Sequence, residues 1–157
     1  DSMLYYANKT IAFIDRCEYK GERLYGLAGK AYSLKATYFH QMRQEKDSAI
    51  ALFKKAYDYA LQSDIKQSAA DMAANTGDAY IFKDDLPKGA EWYRRALYLA
   101  DSLNMPNKAT ASIYMGLGRI YTQMQDYKAA SKYYKDAEKQ YDIMQPNMKI
   151  YFLNNYG

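Results

Sequence analysis

The 157-residue chain is long enough for one ordinary domain with a core, and 49% of its residues are apolar. Its net charge of +4 comes from 22 basic and 18 acidic residues. These charges are scattered singly or in pairs, so we expect no nucleic-acid partner. A single cysteine, Cys17, excludes an internal disulfide framework and a cysteine zinc site. No segment reaches the roughly 20 consecutive apolar residues that span a bilayer, so we expect no membrane insertion by this segment.

Apolar residues recur at intervals of three and four along nearly the whole chain, which predicts an all-α fold. In chain order, the predicted helices cover about 2–17, 22–43, 47–62, 66–82, 87–103, 107–124 and 127–144, and a last helix begins at 147. All three prolines, Pro87, Pro106 and Pro146, lie at breaks between these helices. A proline cannot continue a helix from the residues before it, so the prolines support the predicted boundaries.

A register of small and aromatic residues returns about every 41 positions. In its clearest copy, Gly118 is followed by Tyr121, Ala130, Tyr134 and Ala137. Two earlier copies, the first with one additional residue in its turn, are Ala36, Phe39, Ala49, Phe53 and Ala56, and Gly77, Tyr80, Gly89, Tyr93 and Ala96. This register resembles that of the tetratricopeptide repeat, in which a tight turn joins a first helix to an antiparallel second helix.

The resemblance implies a right-handed superhelical solenoid of antiparallel helix pairs. It divides the chain into a second helix of a partial repeat at 1–18, complete repeats at 22–64, 65–105 and 106–145, and the start of a further repeat at 147–157. Both ends are then expected to fall inside a repeat. The repeats of about 40 residues imply lengthened second helices, and they are similar to the extended repeats of kinesin light chains and of bacterial regulators with tetratricopeptide sensor regions.

The register has a packing reason. Helix axes that cross about 8 to 10 Å apart leave room for glycine or alanine and not for a branched side chain. We expect the rings beside these crossings to be the best buried, namely Phe53, Tyr80, Tyr93, Tyr121 and Tyr134. We predict that Trp92 is partly exposed. The last helix has no second helix to cover Ile150, Tyr151, Phe152 and Leu153, which predicts self-association through the solenoid ends.

The sequence offers no catalytic constellation. It holds one histidine, His40, one cysteine and no glycine-rich phosphate loop. We therefore predict no catalytic residues, no cofactor and no metal site, and we interpret Cys17 as a packing residue. Paired cations on the second helices are interpreted as a solvated outer face. These pairs are Lys54 with Lys55, Arg94 with Arg95, and Lys132 with Lys135.

In the tetratricopeptide family, first helices line a concave groove in which partner peptides lie. The aligned register carries this role to Lys30, Ser33, Thr37, His40, Asp71, Asn75, Asp78, Ser112, Met115, Arg119, Thr122, Tyr151 and Asn154. Their spacing of three and four places each set on one helical face.

One groove chemistry of the family does not fit. The positions that hold lysine, asparagine and arginine in the carboxylate clamp of chaperone-binding members are here Ser33, Thr37, Ser112 and Gly116. Only Asn75 matches, so that clamp is not expected. A peptide held by the amides of Asn75 and Asn154 is one hypothesis. Packing of the groove against another part of the same polypeptide is another.

Two functions remain open at this point. The first is a non-enzymatic protein–protein interaction scaffold that binds a peptide or helix in the concave groove. The alternative is a sensor or dimerisation segment of a larger bacterial signalling or transcriptional regulator. Both imply a protein or peptide partner.

Overall fold

The computed structural model describes residues 2–18, 21–105 and 107–156, and only the backbone of residues 107–109. This part of the chain is helical and contains no β-strand, so the predicted all-α fold class is confirmed. Its α-helices are α1 (Ser2–Arg16), α2 (Glu22–Tyr38), α3 (Lys46–Leu61), α4 (Gln67–Phe82), α5 (Leu86–Ser102), α6 (Asn107–Gln123), α7 (Tyr127–Glu138) and α8 (Pro146–Tyr156). A π-helical turn (Phe39–Arg43) follows α2, and a 3-10 turn (Tyr141–Ile143) follows α7.

Helices α1 to α7 pack on the helices that precede and follow them in the chain. Three-residue turns join α4 to α5 and α6 to α7, so each of these pairs runs antiparallel. The two turns use the same chemistry. Asp84 and Gln125 have φ of 66° and 61°, the left-handed conformation that ends a helix. Asp85 and Asp126 follow them and accept hydrogen bonds from the next helix's backbone.

The small residues of the register are explained by aromatic rings that lie against them. A Cβ atom added to Gly77 would lie 2.5 Å from Cδ2 of Tyr93, and one added to Gly118 would lie 2.7 Å from Cε1 of Tyr134. Each ring comes 16 positions after its glycine and belongs to the second helix of the same pair. Side chains larger than hydrogen would therefore separate the helices of both pairs.

Two predictions of ring burial are wrong. Trp92 is buried, because its ring packs edge-on against Tyr57 and lies beneath the cations of Lys54 and Arg95. Tyr121 is only half-buried, because its hydroxyl reaches the exposed Arg94 and accepts a hydrogen bond of 2.7 Å. The other four rings expected beside the crossings are buried.

The prediction of a lengthened second helix fails for α7. This helix has 12 residues and ends at Glu138, whereas α5 has 17. The chain then turns through Tyr141–Ile143, which places Met144 in the core beside Phe152.

The last helix is better covered than the sequence predicts. Phe152 is buried because it contacts the rings of Tyr134, Tyr141 and Tyr156. Ile150 and Leu153 are exposed, so self-association stays a prediction.

Candidate functional site

Two cavities, which share Asp78, bring together eight of the thirteen predicted groove residues. The smaller cavity, of about 160 Å³, is lined by Thr37, His40, Gln41, Phe53, Asn75 and Asp78. The larger, of about 320 Å³, is lined by Asp78, Tyr93, Ser112, Met115, Gly116, Arg119, Asn147, Met148 and Tyr151. We call them the Asp78 cavities. The first helices α2, α4, α6 and α8 therefore contribute to one continuous site.

The other five predicted residues line neither cavity. Ser33 is half-buried, and the exposed ones are Lys30, Asp71, Thr122 and Asn154. Asn75 lines the smaller cavity, but Asn154 does not join it there. The hypothesis that these two amides hold one peptide together therefore gains no support from their positions.

Asp78 is the centre of a polar network that ties α4, α5 and α6 together. Its Oδ1 atom accepts hydrogen bonds from Oη of Tyr93 at 2.9 Å and from Nη2 of Arg119 at 2.7 Å. Burial, and then the charge of Asp78, raise the pKa of Tyr93 well above its usual value. The hydroxyl thus stays protonated as a donor. Asp78 and Arg119 remain 45% and 32% exposed, so a partner could reach both.

His40 lines the smaller cavity from a π-helical turn of the backbone. It belongs to the π-helical turn, which accommodates the one additional residue of the first repeat copy. Its ring lies edge-on to Phe53 and Phe82, with centroid distances of 6.4 and 4.9 Å. Its Nδ1 atom is buried and has no hydrogen-bond partner among the described residues.

Gly116 is a site residue that sequence reasoning missed. A Cβ atom at this position would lie 2.1 Å from Cε1 of Tyr93, so glycine is what leaves the larger cavity open beside that ring. The sequence marked Gly116 only as a mismatch to the carboxylate clamp, because the small residue of the repeat register in this helix is Gly118. A signal existed: a glycine inside a helix costs about 1 kcal/mol relative to alanine, so a second glycine in α6 needed an explanation.

Other chemistry has little support in the described part of the chain. No group of three or more His, Cys, Asp or Glu side chains there could hold a metal ion. Cys17 is half-buried, and its Sγ atom donates to the carbonyl oxygen of Phe13 at 3.4 Å. Of the described helices, none combines the length and apolar character needed to cross a membrane.

Comparisons with known proteins agree with the geometry. The Tetratricopeptide repeat family pattern matches residues 68–142, the segment from α4 through α7. A Tonsoku-like protein of Mus musculus is 33% identical over 70 residues, which cover 45% of this chain and 5% of that protein. The chain thus spans only a small part of the length of this relative. Tetratricopeptide repeats generally mediate protein–protein interactions. This chain therefore contains tetratricopeptide repeats, which lie at residues 68–142.

Proposed function

We propose that this chain is a non-catalytic interaction scaffold, which binds a peptide or helix of a partner protein at the Asp78 cavities. The observation that carries the proposal is that groove residues from four first helices converge on two adjoining cavities. In the solenoid that the repeats imply, these helices form the concave side, so a segment lying there crosses all of them.

The larger cavity suits an apolar side chain with a polar neighbour. Met115, Met148 and Tyr151 supply apolar walls, and Gly116 leaves space between α6 and the ring of Tyr93. Methionine side chains adapt to apolar groups of different shapes. At the edge of the cavity, Asp78 and Arg119 offer an acceptor and a donor to the partner's backbone.

The smaller cavity suits a main-chain amide. Asn75 offers a donor and an acceptor, and His40 lines the same cavity. An extended segment that places an apolar side chain in the larger cavity would carry its backbone past Asp78 toward these two residues. The pair of cavities therefore favours a peptide of several residues over a small molecule.

A peptide display library, panned against the whole chain, tests this proposal. We expect selected peptides to share an apolar residue at one position and to lose at least about tenfold in affinity with Asn75→Arg, which fills the smaller cavity with a charged side chain. The control is Ala51→Arg, which places the same side chain at an exposed position of α3. Equal binding by both variants would place the peptide elsewhere. Failure of any peptide to bind would favour a groove that another part of the same polypeptide fills.

Exposed apolar side chains on α1 and α8 support a second proposal, homo-oligomerisation. Tyr6 and Phe13 of α1 are 63% and 55% exposed, and Ile150 and Leu153 of α8 are 62% and 52% exposed. Such faces favour association. Light scattering over a range of concentrations should show self-association that Ile150→Ser with Leu153→Ser reduces. A monomer at every concentration would contradict the proposal.

A further inference from the structure

The cations on the second helices are not equivalent, although the sequence suggests one solvated face. On α3 and α5 the cations contact aromatic rings, a carboxylate or a hydroxyl group of the same chain. The ammonium group of Lys54 lies over the rings of Tyr80 and Trp92, and that of Lys55 lies over Tyr32. Arg95 pairs with Glu91 and lies over Trp92, and Arg94 donates to the hydroxyl of Tyr121.

Helix α7 differs. Lys128, Lys132, Lys135 and Lys139 line one shallow cleft of about 550 Å³ together with Ser131 and Asp136. We call these four residues the lysine face. All four are exposed. Lys139 pairs with Asp136 at 2.7 Å, whereas Lys128, Lys132 and Lys135 have no carboxylate within ion-pair distance among the described residues.

The lysine face accounts for most of the excess charge of the protein. The cleft holds four lysines and one aspartate, a local charge of +3 out of the net +4 of the chain. The other 18 basic and 17 acidic residues nearly cancel. Lysines concentrated on one side of a helix create a local positive potential that attracts acidic groups.

We propose that the lysine face is a second docking surface, which binds an acidic helix of a partner protein. Its lysines follow a spacing of 4, 3 and 4, which places them on one side of α7 over about 16 Å. A helix with glutamates at the same spacing presents its carboxylates in a matching row.

The shape of the cleft favours a protein helix over a nucleic acid. Its lining residues all lie between Lys128 and Lys139, on α7 and the C-cap residue that follows it, so the positive charge forms a strip one helix wide. A duplex presents two phosphate backbones and is bound by cations spread over a wider surface. Because the ion pairs are exposed, the interaction should be weak and sensitive to salt. None of the lysines lines the Asp78 cavities, so the two proposals can fail independently.

The test uses the whole chain and two alanine-based helical peptides of about 18 residues. One carries four glutamates at the spacing of the lysine face, and the other carries the same residues distributed around the helix. We expect fluorescence anisotropy to show about fivefold tighter binding of the first peptide and a loss of affinity as salt rises. Lys132→Glu with Lys135→Glu should weaken this binding by at least about tenfold.

The matched control is Arg23→Glu with Lys66→Glu, which reverses two exposed cations elsewhere and lowers the net charge equally. It should weaken binding by less than about twofold. Circular dichroism checks that both variants remain helical. Equal binding of the two peptides, no binding of either, or an equal effect of both variants would overturn the proposal. Tighter binding of a single-stranded oligonucleotide, lost in Lys132→Glu with Lys135→Glu, would overturn it in favour of a nucleic-acid surface.

Discussion

Tyr93 and Tyr134 occupy equivalent positions 41 residues apart, yet the two rings have different surroundings. Tyr93 lies between two glycines, Gly77 of α4 and Gly116 of α6, and its hydroxyl donates to Asp78. Tyr134 has one such glycine, Gly118, and on its other side it contacts the rings of α8. Its buried hydroxyl makes no hydrogen bond of ordinary geometry among the described residues. Both rings therefore contact a glycine of their own helix pair. Their other contacts differ, because they come from the helix that follows, α6 for Tyr93 and α8 for Tyr134.

The largest loss of stability is expected at Tyr93, whose ring lies between two glycines. Gly116→Ala should lower the free energy of unfolding by about 2 kcal/mol, because its Cβ atom would overlap Tyr93 and the opposite side is closed by Gly77. Denaturant unfolding measures this loss. Gly26→Ala in α2 is the control, since its Cβ atom meets nothing closer than 3.4 Å. It should stabilise by up to about 1 kcal/mol through helix propensity. A Tyr93→Leu background should reduce the cost of Gly116→Ala, and an undiminished cost would show that the ring is not its cause.

A smaller loss of stability is expected for a substitution beside Tyr134. Gly118→Ala should cost about 1 kcal/mol, because the overlap is less severe, at 2.7 Å against 2.1 Å, and only one glycine faces this ring. The same unfolding measurement applies. A cost equal to that of Gly116→Ala would mean that confinement from the second side contributes nothing.

The two hydroxyl groups should also differ. Tyr93→Phe removes a hydrogen bond to a carboxylate and should cost about 1 kcal/mol. Tyr134→Phe removes a buried hydroxyl that makes no hydrogen bond of ordinary geometry, and it should change stability by less than about 0.5 kcal/mol. Thermal or denaturant unfolding of the two variants provides the comparison. A larger loss for Tyr134→Phe would contradict it.

Alkaline pH should produce the smallest effect. Burial raises the pKa of both tyrosines, and Asp78 raises that of Tyr93 further. A raised pKa means that the fold favours the neutral hydroxyl. The resulting stabilisation is complete below the unfolded pKa of about 10 and is lost as the pH rises above it. At pH 10 the loss should be about 0.4 kcal/mol for Tyr93, whose pKa is raised well above its usual value, and Tyr93→Phe should lose less than the wild type on a pH series. An equal loss in both would exclude Tyr93 as a source.

Much of the fold was predictable because its boundaries have local causes. Pro87 lies in the first turn of α5, and α4 and α6 end within one residue of their predicted positions. The end of α7 was not predictable in this way. It depends on Met144 and Phe152, which enter a shared cluster only when α8 packs beside α7.

The candidate site was also predictable only in part. Asp78 and Arg119 were predicted from the resemblance to tetratricopeptide repeats through the aligned register, and a period of 3.6 residues places the predicted residues of each helix on one face. Their ion pair, and the confinement of Tyr93 by Gly116, involve residues of different helices. The burial of Trp92 was missed for the same reason, since Tyr57 and Lys54 cover it from α3.

By itself, the sequence determined the all-α fold, the repeat register and the face on which each groove residue lies. These follow from periodicity and from the small residues that helix crossings require. Only the tertiary structure decided which groove residues share a cavity and which cations remain unpaired. Those outcomes depend on the distance and rotation between neighbouring helices, and these are set by side chains that pack together from about 15 to 40 residues apart.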